Sequence, residues 1–400
     1  MTTSIFSPCH NTKYLKPLYD SIKDQDFTEW ILVPNGEALK DDFSWLENDK
    51  RVRIIPFEKE TKSIGELKRF CCEYATGDIL IEVDADDLLT SDAIEEVKKA
   101  FENPEISFAY SQFCEFYYDH PQFKDWESPT YSPFYGWRYK DFDWRGHKLN
   151  ECIDFDPVPS VFQMIWYAPN HIRAWRTTHY WAVGGHDPNL EAVDDFDLEL
   201  RTYLYGKMHH IKKCLYLYRI NGQNQWIQKN QYIQRVAKEK ADEYFYKITY
   251  RYAGLMGWPT INIEDIKGNL NKKWPLKDNS VGIIKAWDRL QLLDNPQHAM
   301  NEIYRVLKPG GYLLSSTPST DGRGAFQNPN HKSFWNENSF YYYIDRNESN
   351  KINNKTRFQA VRHRTFFPDQ THENRNMSYV LFDAICLKEG MERIPGGITI

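Results

Sequence analysis

The chain of 400 residues has a formal net charge of −6 and an isoelectric point near 6.1, a balance that argues against a broad surface for nucleic acid or anionic membrane. Such a length predicts two or three domains with ample core. The opening Met1-Thr2-Thr3-Ser4 has no charged n-region, no run nears the ~20 apolar residues of a membrane span, and seven scattered cysteines without a CxxC pair favour reduced, buried thiols, so a soluble cytoplasmic protein is expected.

In chain order, Ser4-Ile5-Phe6-Ser7-Pro8 reads as a short strand ending in the polar loop Cys9-His10-Asn11-Thr12. Leu15, Leu18, Tyr19 and Ile22 then recur at helical spacing. Trp30-Ile31-Leu32-Val33 is a second strand, stopped by the turn Pro34-Asn35-Gly36, and Arg53-Ile54-Ile55-Pro56 is a weaker third. Ile64 to Tyr74 reads as a helix closed by Ala75-Thr76-Gly77, with glycine at the C-cap. Alternating strands and helices imply βαβ units and a mainly parallel sheet.

The most informative stretch follows: Ile79-Leu80-Ile81-Glu82-Val83-Asp84-Ala85-Asp86-Asp87. A buried parallel strand reads as a continuous apolar run, and ligands collect outside the carboxyl ends of such strands. Asp84 and Asp86 stand two apart, so on extended backbone they face one way, and oxygen-only ligands suit Mg²⁺ or Mn²⁺ bound together with phosphates. The same residues also fit a plain strand followed by an acidic helix start at Asp92.

Pro8-Cys9-His10-Asn11, Val33-Pro34-Asn35-Gly36-Glu37, Lys68-Arg69, Ala75-Thr76-Gly77 and Asp84-Ala85-Asp86-Asp87, in this order, resemble the motifs of family-2 glycosyltransferases of the GT-A fold. The resemblance implies that Pro8, His10, Asn11 and Asn35 line the nucleotide base and ribose. It places Lys68 on the base or phosphate side and Asp84 on ribose or base, next to Ala85. It also implies that Asp86 holds a Mn²⁺ or Mg²⁺ ion on the diphosphate. Pro34 and Asn35 replace a frequent acidic pair, and His10 replaces a tyrosine while keeping a flat ring.

A helix (Ala93 to Phe101) and a strand (Ile106 to Tyr110) lead into a strongly aromatic stretch, residues 113–150, read as an insertion loop divided between packing and acceptor lining. Gly184-Gly185-His186-Asp187 and Asp194-Asp195-Phe196-Asp197-Leu198 resemble the family's segment at the sugar–acceptor junction. That resemblance makes Asp195 the catalytic base and Asp194 the second choice. A plain helix start, with carboxylates in its first turn, explains the same residues. Tyr218-Arg219-Ile220-Asn221 resembles a strand ending in a metal-binding histidine, with Asn221 in the ligand position and His209 and His210 as substitutes. Gln228 to Lys247 reads as a polar helix closing a domain of residues 1–250.

Residues 251–400 change character. Trp274 to Ile284, a helix from Asn295 to Leu307 and Lys308-Pro309-Gly310-Gly311-Tyr312-Leu313-Leu314 resemble the second half of a class I S-adenosylmethionine-dependent methyltransferase. The glycine-rich first βα turn such an enzyme needs is missing, and Gly322-Arg323-Gly324 reads as a loop. The expectation is a smaller, partial Rossmann-like α/β domain without its cofactor site, serving packing, homo-oligomerisation or acceptor recruitment. The basic stretch Arg357 to Arg364 reads as a solvated strand face or an anion site.

The whole predicts a metal-dependent, inverting glycosyltransferase moving a sugar from a nucleotide-diphospho-sugar, a UDP-hexose first, to a saccharide or glycoconjugate hydroxyl. The rival readings are a bifunctional glycosyl- and methyltransferase, a non-catalytic carbohydrate-binding scaffold, and a glycosyltransferase on modified DNA, the last disfavoured by the acidic balance.

Overall fold

Strands whose side chains are mostly buried build the first sheet. In the structure, a computed structural model that describes residues 1–133 and 136–396, strands β1 (Thr3–Cys9), β2 (Glu29–Pro34), β3 (Val52–Ile54) and β4 (Ile79–Glu82) lie parallel in the order β3-β2-β1-β4. β2 and β4 are buried along their whole length, as parallel strands covered on both faces must be. The sheet continues with β9 (Arg173–Arg176), antiparallel to β4, then β6 (Ile106–Tyr117), β10 (Lys207–Ile220) and the two-residue β5 (Leu88–Leu89). It is a mixed α/β sheet, mainly parallel at the end that carries β1, β2 and β4.

The aromatic stretch departs from the expected loop. β6 runs on through Phe113 and Phe116, and β7 (Tyr139–Trp144) and β8 (His147–Cys152) form a hairpin on its flank. The rings are spent largely on one another: Phe116, Trp126 and His147 stack in sequence at 4.7 and 4.3 Å, and Trp137 stacks on Tyr167 at 4.5 Å. Phe134 and Tyr135 of this stretch lie outside the described residues.

The chain divides into two compact units, Met1–Pro157 with Ile165–Tyr244, and Val158–Met164 with Phe245–Ile400. The division falls inside the helix Asn230–Leu255. The second unit is built on five strands, β11 (Thr260–Asn262), β12 (Val281–Trp287), β13 (Leu307–Pro318), β14 (Phe358–Phe366) and β15 (Tyr379–Cys386), in the order β11-β12-β13-β15-β14. The first three are parallel and the last two antiparallel. The helix Pro296–Val306 joins β12 to β13; the Asn295 side chain accepts from the His298 N–H and proline stands in the first turn, both favourable start signals.

Two expectations for this unit change. Gly324 opens a short helix, Gly324–Gln327, where a loop was expected. Arg362 is not on a solvated face: it is buried, donates from Nε to Asp383 Oδ2 at 2.8 Å, and packs between the rings of Phe245 and Tyr246. All seven cysteines are free and buried. Among the described residues no helix is long and apolar enough to cross a membrane.

Candidate functional site

Strand register brings the first set of candidate residues to one edge. Cys9 pairs with Pro34 and Phe6 with Glu82, so the residues just beyond β1, β2 and β4 emerge side by side at the carboxyl ends of parallel strands. These residues are His10 and Asn11, Asn35 and Gly36, and Val83 to Asp87. The Ser7 hydroxyl donates to the Val83 carbonyl at 2.5 Å, fastening β1 to the start of the acidic segment.

His10 is exposed and its Nδ1 lies 3.2 Å from Asn35 Oδ1. Asn35 is itself buried, and its amide nitrogen donates to the Val33 carbonyl. That leaves Nδ1 as the protonated nitrogen facing Asn35. The imidazole lies on the backbone of Gly36: φ there is +56°, and an added Cβ would sit 2.3 Å from the ring. Pro8 is half-buried and Ala85 buried, while Asn11 is exposed with its side-chain oxygen accepting the Lys13 N–H at 2.8 Å.

The acidic segment is held from behind by β10. The Tyr216 hydroxyl donates to Asp87 Oδ2 at 2.7 Å and accepts the Asp84 N–H at 3.1 Å, and the Arg219 N–H donates to Asp87 Oδ1. Arg219 Nε donates to the Asp86 carbonyl, and its guanidinium is caged by the rings of Tyr14, Tyr118 and Phe116 at 4.4, 4.8 and 5.0 Å. Asp87 therefore serves the fold. Asp84 and Asp86 are half-buried and, among the described residues, in no ion pair. Burial lifts the Asp84 carboxyl to about 7 and also raises that of Asp86.

A second cluster lies one strand further along. Glu82 and Arg173 are register partners across β4 and β9, and Glu82 Oε1 accepts from Arg173 (2.7 and 3.2 Å) and from Lys68 Nζ (2.9 Å). Lys68 also approaches Asp194 Oδ2 at 3.3 Å, while Arg173 bonds Asp195 Oδ2 at 2.8 Å. His186 closes the group, its Nε2 3.5 Å from Glu82 Oε2 and 3.7 Å from Asp194 Oδ2, with Nδ1 at the Tyr180 hydroxyl.

Electrostatics separates the two adjacent aspartates at the start of the helix Asp194–Tyr205. Burial raises Asp194, and Lys68 only partly offsets it. For Asp195 burial also pushes upward, but Arg173 and Lys68 outweigh it and hold the carboxyl below its ordinary value. The Asp195 side chain is 30% exposed. It is thus an ionised, accessible carboxylate beside a buried neighbour.

Lys68 is only 5% exposed and has its partners inside the protein. Asn221 sits just past β10, its side-chain oxygen accepting the Gln223 N–H at 2.9 Å. His209 and His210 stand ten and nine residues before Arg219 on β10, roughly 30 Å along an extended strand, and His210 is engaged with Asp156. Neither histidine reaches Asp86. Glu82, Arg173, Tyr216 and Arg219 escaped the sequence reading of the site. The apolar-to-acidic switch at Glu82 was its one local signal; the others join through pairing across distant strands.

With this geometry in view, comparison with known proteins gives two domain matches. Residues 4–155 match the family model described as glycosyl transferase family 2, and residues 233–315 match one described as methyltransferase domain. The first of these matches lies within the first unit and supports a glycosyltransferase. No curated protein matches the chain at a significant level. Similar solved structures include residues 1–349 of TarS from S. aureus, at 14% identity over 64% of this chain and 72% of that one, TM-score 0.42. The same TarS fragment in complex with UDP-GlcNAc matches at 13% identity over 64% and 73%, TM-score 0.44.

Proposed function

We propose that the first unit transfers a hexose from a nucleotide-diphospho-sugar, UDP-hexose in the first instance, to a hydroxyl of a saccharide or glycoconjugate, inverting the anomeric centre. The observation that carries the proposal is the adjacency of two clusters. The strand-end edge of His10, Asn35, Asp84 and Asp86 is joined through Glu82 and Arg173 to the ionised Asp195.

In this reading Pro8, His10, Asn11 and Asn35 receive the base and ribose. The flat His10 ring offers a stacking face, and Asp84 with Ala85 borders the ribose. Lys68 serves by holding Asp194 and Glu82 in place. Asp195 accepts the proton of the acceptor hydroxyl as its oxygen bonds the anomeric carbon and the bond to the diphosphate breaks on the opposite face. The transition state is oxocarbenium-like.

A divalent ion fits in a limited way. Among the described residues no group of three or more His, Cys, Asp or Glu side chains is arranged to hold a metal. The fit is therefore to an ion held by one or two protein groups and completed by substrate phosphates, the usual arrangement for Mg²⁺. Asp86, in no ion pair, would be its ligand, and Asn221 would join it by releasing the Gln223 N–H. Such an ion, Mn²⁺ or Mg²⁺, neutralises charge on a leaving diphosphate.

UDP release from UDP-glucose and UDP-N-acetylglucosamine, with Mn²⁺ and a panel of saccharide acceptors, tests the proposal. Acceptor-stimulated release abolished by Asp195→Asn is expected. Release that is indifferent to Asp195 would refute it.

A further inference from the structure

Arg173 is not among the residues that the motifs single out, yet the two clusters meet on it. The guanidinium is buried and each of its three nitrogens is engaged: Nε and one terminal nitrogen on Glu82 Oε1, the other terminal nitrogen on Asp195 Oδ2 at 2.8 Å. Its place is fixed twice over. β9 pairs Arg173 directly with Glu82, and Lys68 fixes the same Glu82 oxygen from the other side. The remaining Asp195 oxygen accepts the Phe196 N–H at 2.7 Å, so both oxygens of the carboxylate are oriented.

We infer that Arg173 is the positioning residue of the transfer reaction, a rigid fork that aims the Asp195 carboxylate at the acceptor hydroxyl and keeps it ionised. The inference rests on the assignment of Asp195 as base. Arginine suits the task because its planar guanidinium holds two carboxylates in a rigid fork, whereas a lysine ammonium engages its partners without that planar constraint. The charges agree with the geometry. Lys68 and Arg173 face Glu82, Asp194 and Asp195, with Asp84 and Glu199 contributing further negative field at Arg173. The cation beside Asp195 is therefore the dominant influence that favours its ionised form, against burial.

The test compares wild type with Arg173→Gln, Arg173→Lys and the double variant Glu82→Gln/Arg173→Gln, following UDP release from UDP-glucose between about pH 4 and 9. A base must be deprotonated to act, so activity rises with pH through its pKa. Removing the adjacent cation should move that acid limb upward by about one pH unit or more. Arg173→Gln should also lower kcat about tenfold to a hundredfold while leaving the KM for UDP-glucose within about twofold, as expected for a group that orients a reacting residue. Arg173→Lys should keep the limb near its wild-type position but recover kcat only in part. The double variant removes both partners of the buried pair and so avoids a buried unpaired carboxylate. It should fold and still show the lowered kcat, with a limb displaced less than in Arg173→Gln because Glu82, which raises the Asp195 carboxyl, is gone too. An acid limb unmoved in folded Arg173→Gln, or wild-type kcat in the folded double variant, overturns the role of Arg173. Wild-type activity in Asp195→Asn instead overturns the assignment of the base, so the two failures are distinguishable.

Discussion

Asp195 and Gly36 show how much of the site is decided by single side chains. Asp195 has one oxygen on Arg173 and one on a backbone N–H. Asp195→Asn should lower transfer by about 10²–10⁴, the usual yield of a positioned general base, while stabilisation by bound donor stays at the wild-type level; calorimetry and UDP release measure the two. Gly36→Ala acts on the donor side. A side chain there would require φ near +56° and meet the His10 ring, so the variant should lose about 1–3 kcal/mol of stability and bind donor more weakly in a denaturation series with and without UDP. The sequence singled out Asp84, Asp86 and Asp195 as candidates because the motifs they stand in are contiguous. Glu82, Lys68, Arg173 and Asp194 could not be joined on paper, since Glu82 and Arg173 are 91 residues apart and meet only through antiparallel pairing. Lys68, expected at the nucleotide, instead spends its charge inside that group.

At the scale of elements, the helix Ile64–Glu73 must come very close to the segment that leads into the helix Asp194–Tyr205. A Cβ at Gly65 would lie 2.0 Å from the Asp187 carbonyl and 3.3 Å from the Asp194 Cβ. Gly65→Ala should therefore push these elements apart, costing about 1–3 kcal/mol and displacing Asp194 and Asp195. Thermal unfolding and UDP release should fall together. A pH signature belongs to the segment that follows β8. Burial pushes the Asp154 carboxyl up to about 7, although it accepts the Asn170 N–H, against about 3.9 for an unfolded chain. Because the folded form holds the proton more tightly, its contribution to stability is full below about pH 4 and is lost as pH rises toward 7, at up to about 1.4 kcal/mol per pH unit. Asp154→Asn should flatten that part of the stability-against-pH curve, whatever its absolute level. The strands and helices up to residue 110 were legible because apolar runs and helical spacing persist in them. The aromatic stretch was misread because charged and proline residues interrupt its pattern. Its one clear signal was Arg145-Gly146, a two-residue turn with φ of +52° and +88°, which is the mark of a tight hairpin.

At the scale of the whole molecule, the second unit sets three parallel strands, β11, β12 and β13, side by side. Past β11 the chain reads Ile263-Glu264-Asp265 as a single 3₁₀ turn, and Glu264 is ion-paired to Arg289 just beyond β12. That pair occupies the carboxyl ends of two parallel strands, where such sheets bind ligands. S-adenosylmethionine should accordingly leave the melting temperature unchanged. This ion pair could not be read from the sequence, because Glu264 and Arg289 are 25 residues apart.

The most direct test of the account is a thermal-shift comparison of UDP-, GDP-, dTDP- and CMP-sugars, each with Mn²⁺ and with EDTA, on wild type and Asp86→Ala. A ligand that binds only the folded form raises its stability by mass action. The account predicts that one nucleotide class, UDP-sugars first, raises the melting temperature with Mn²⁺, less with EDTA, and not in Asp86→Ala. A flat panel in wild type, or an equal shift in Asp86→Ala, would contradict it.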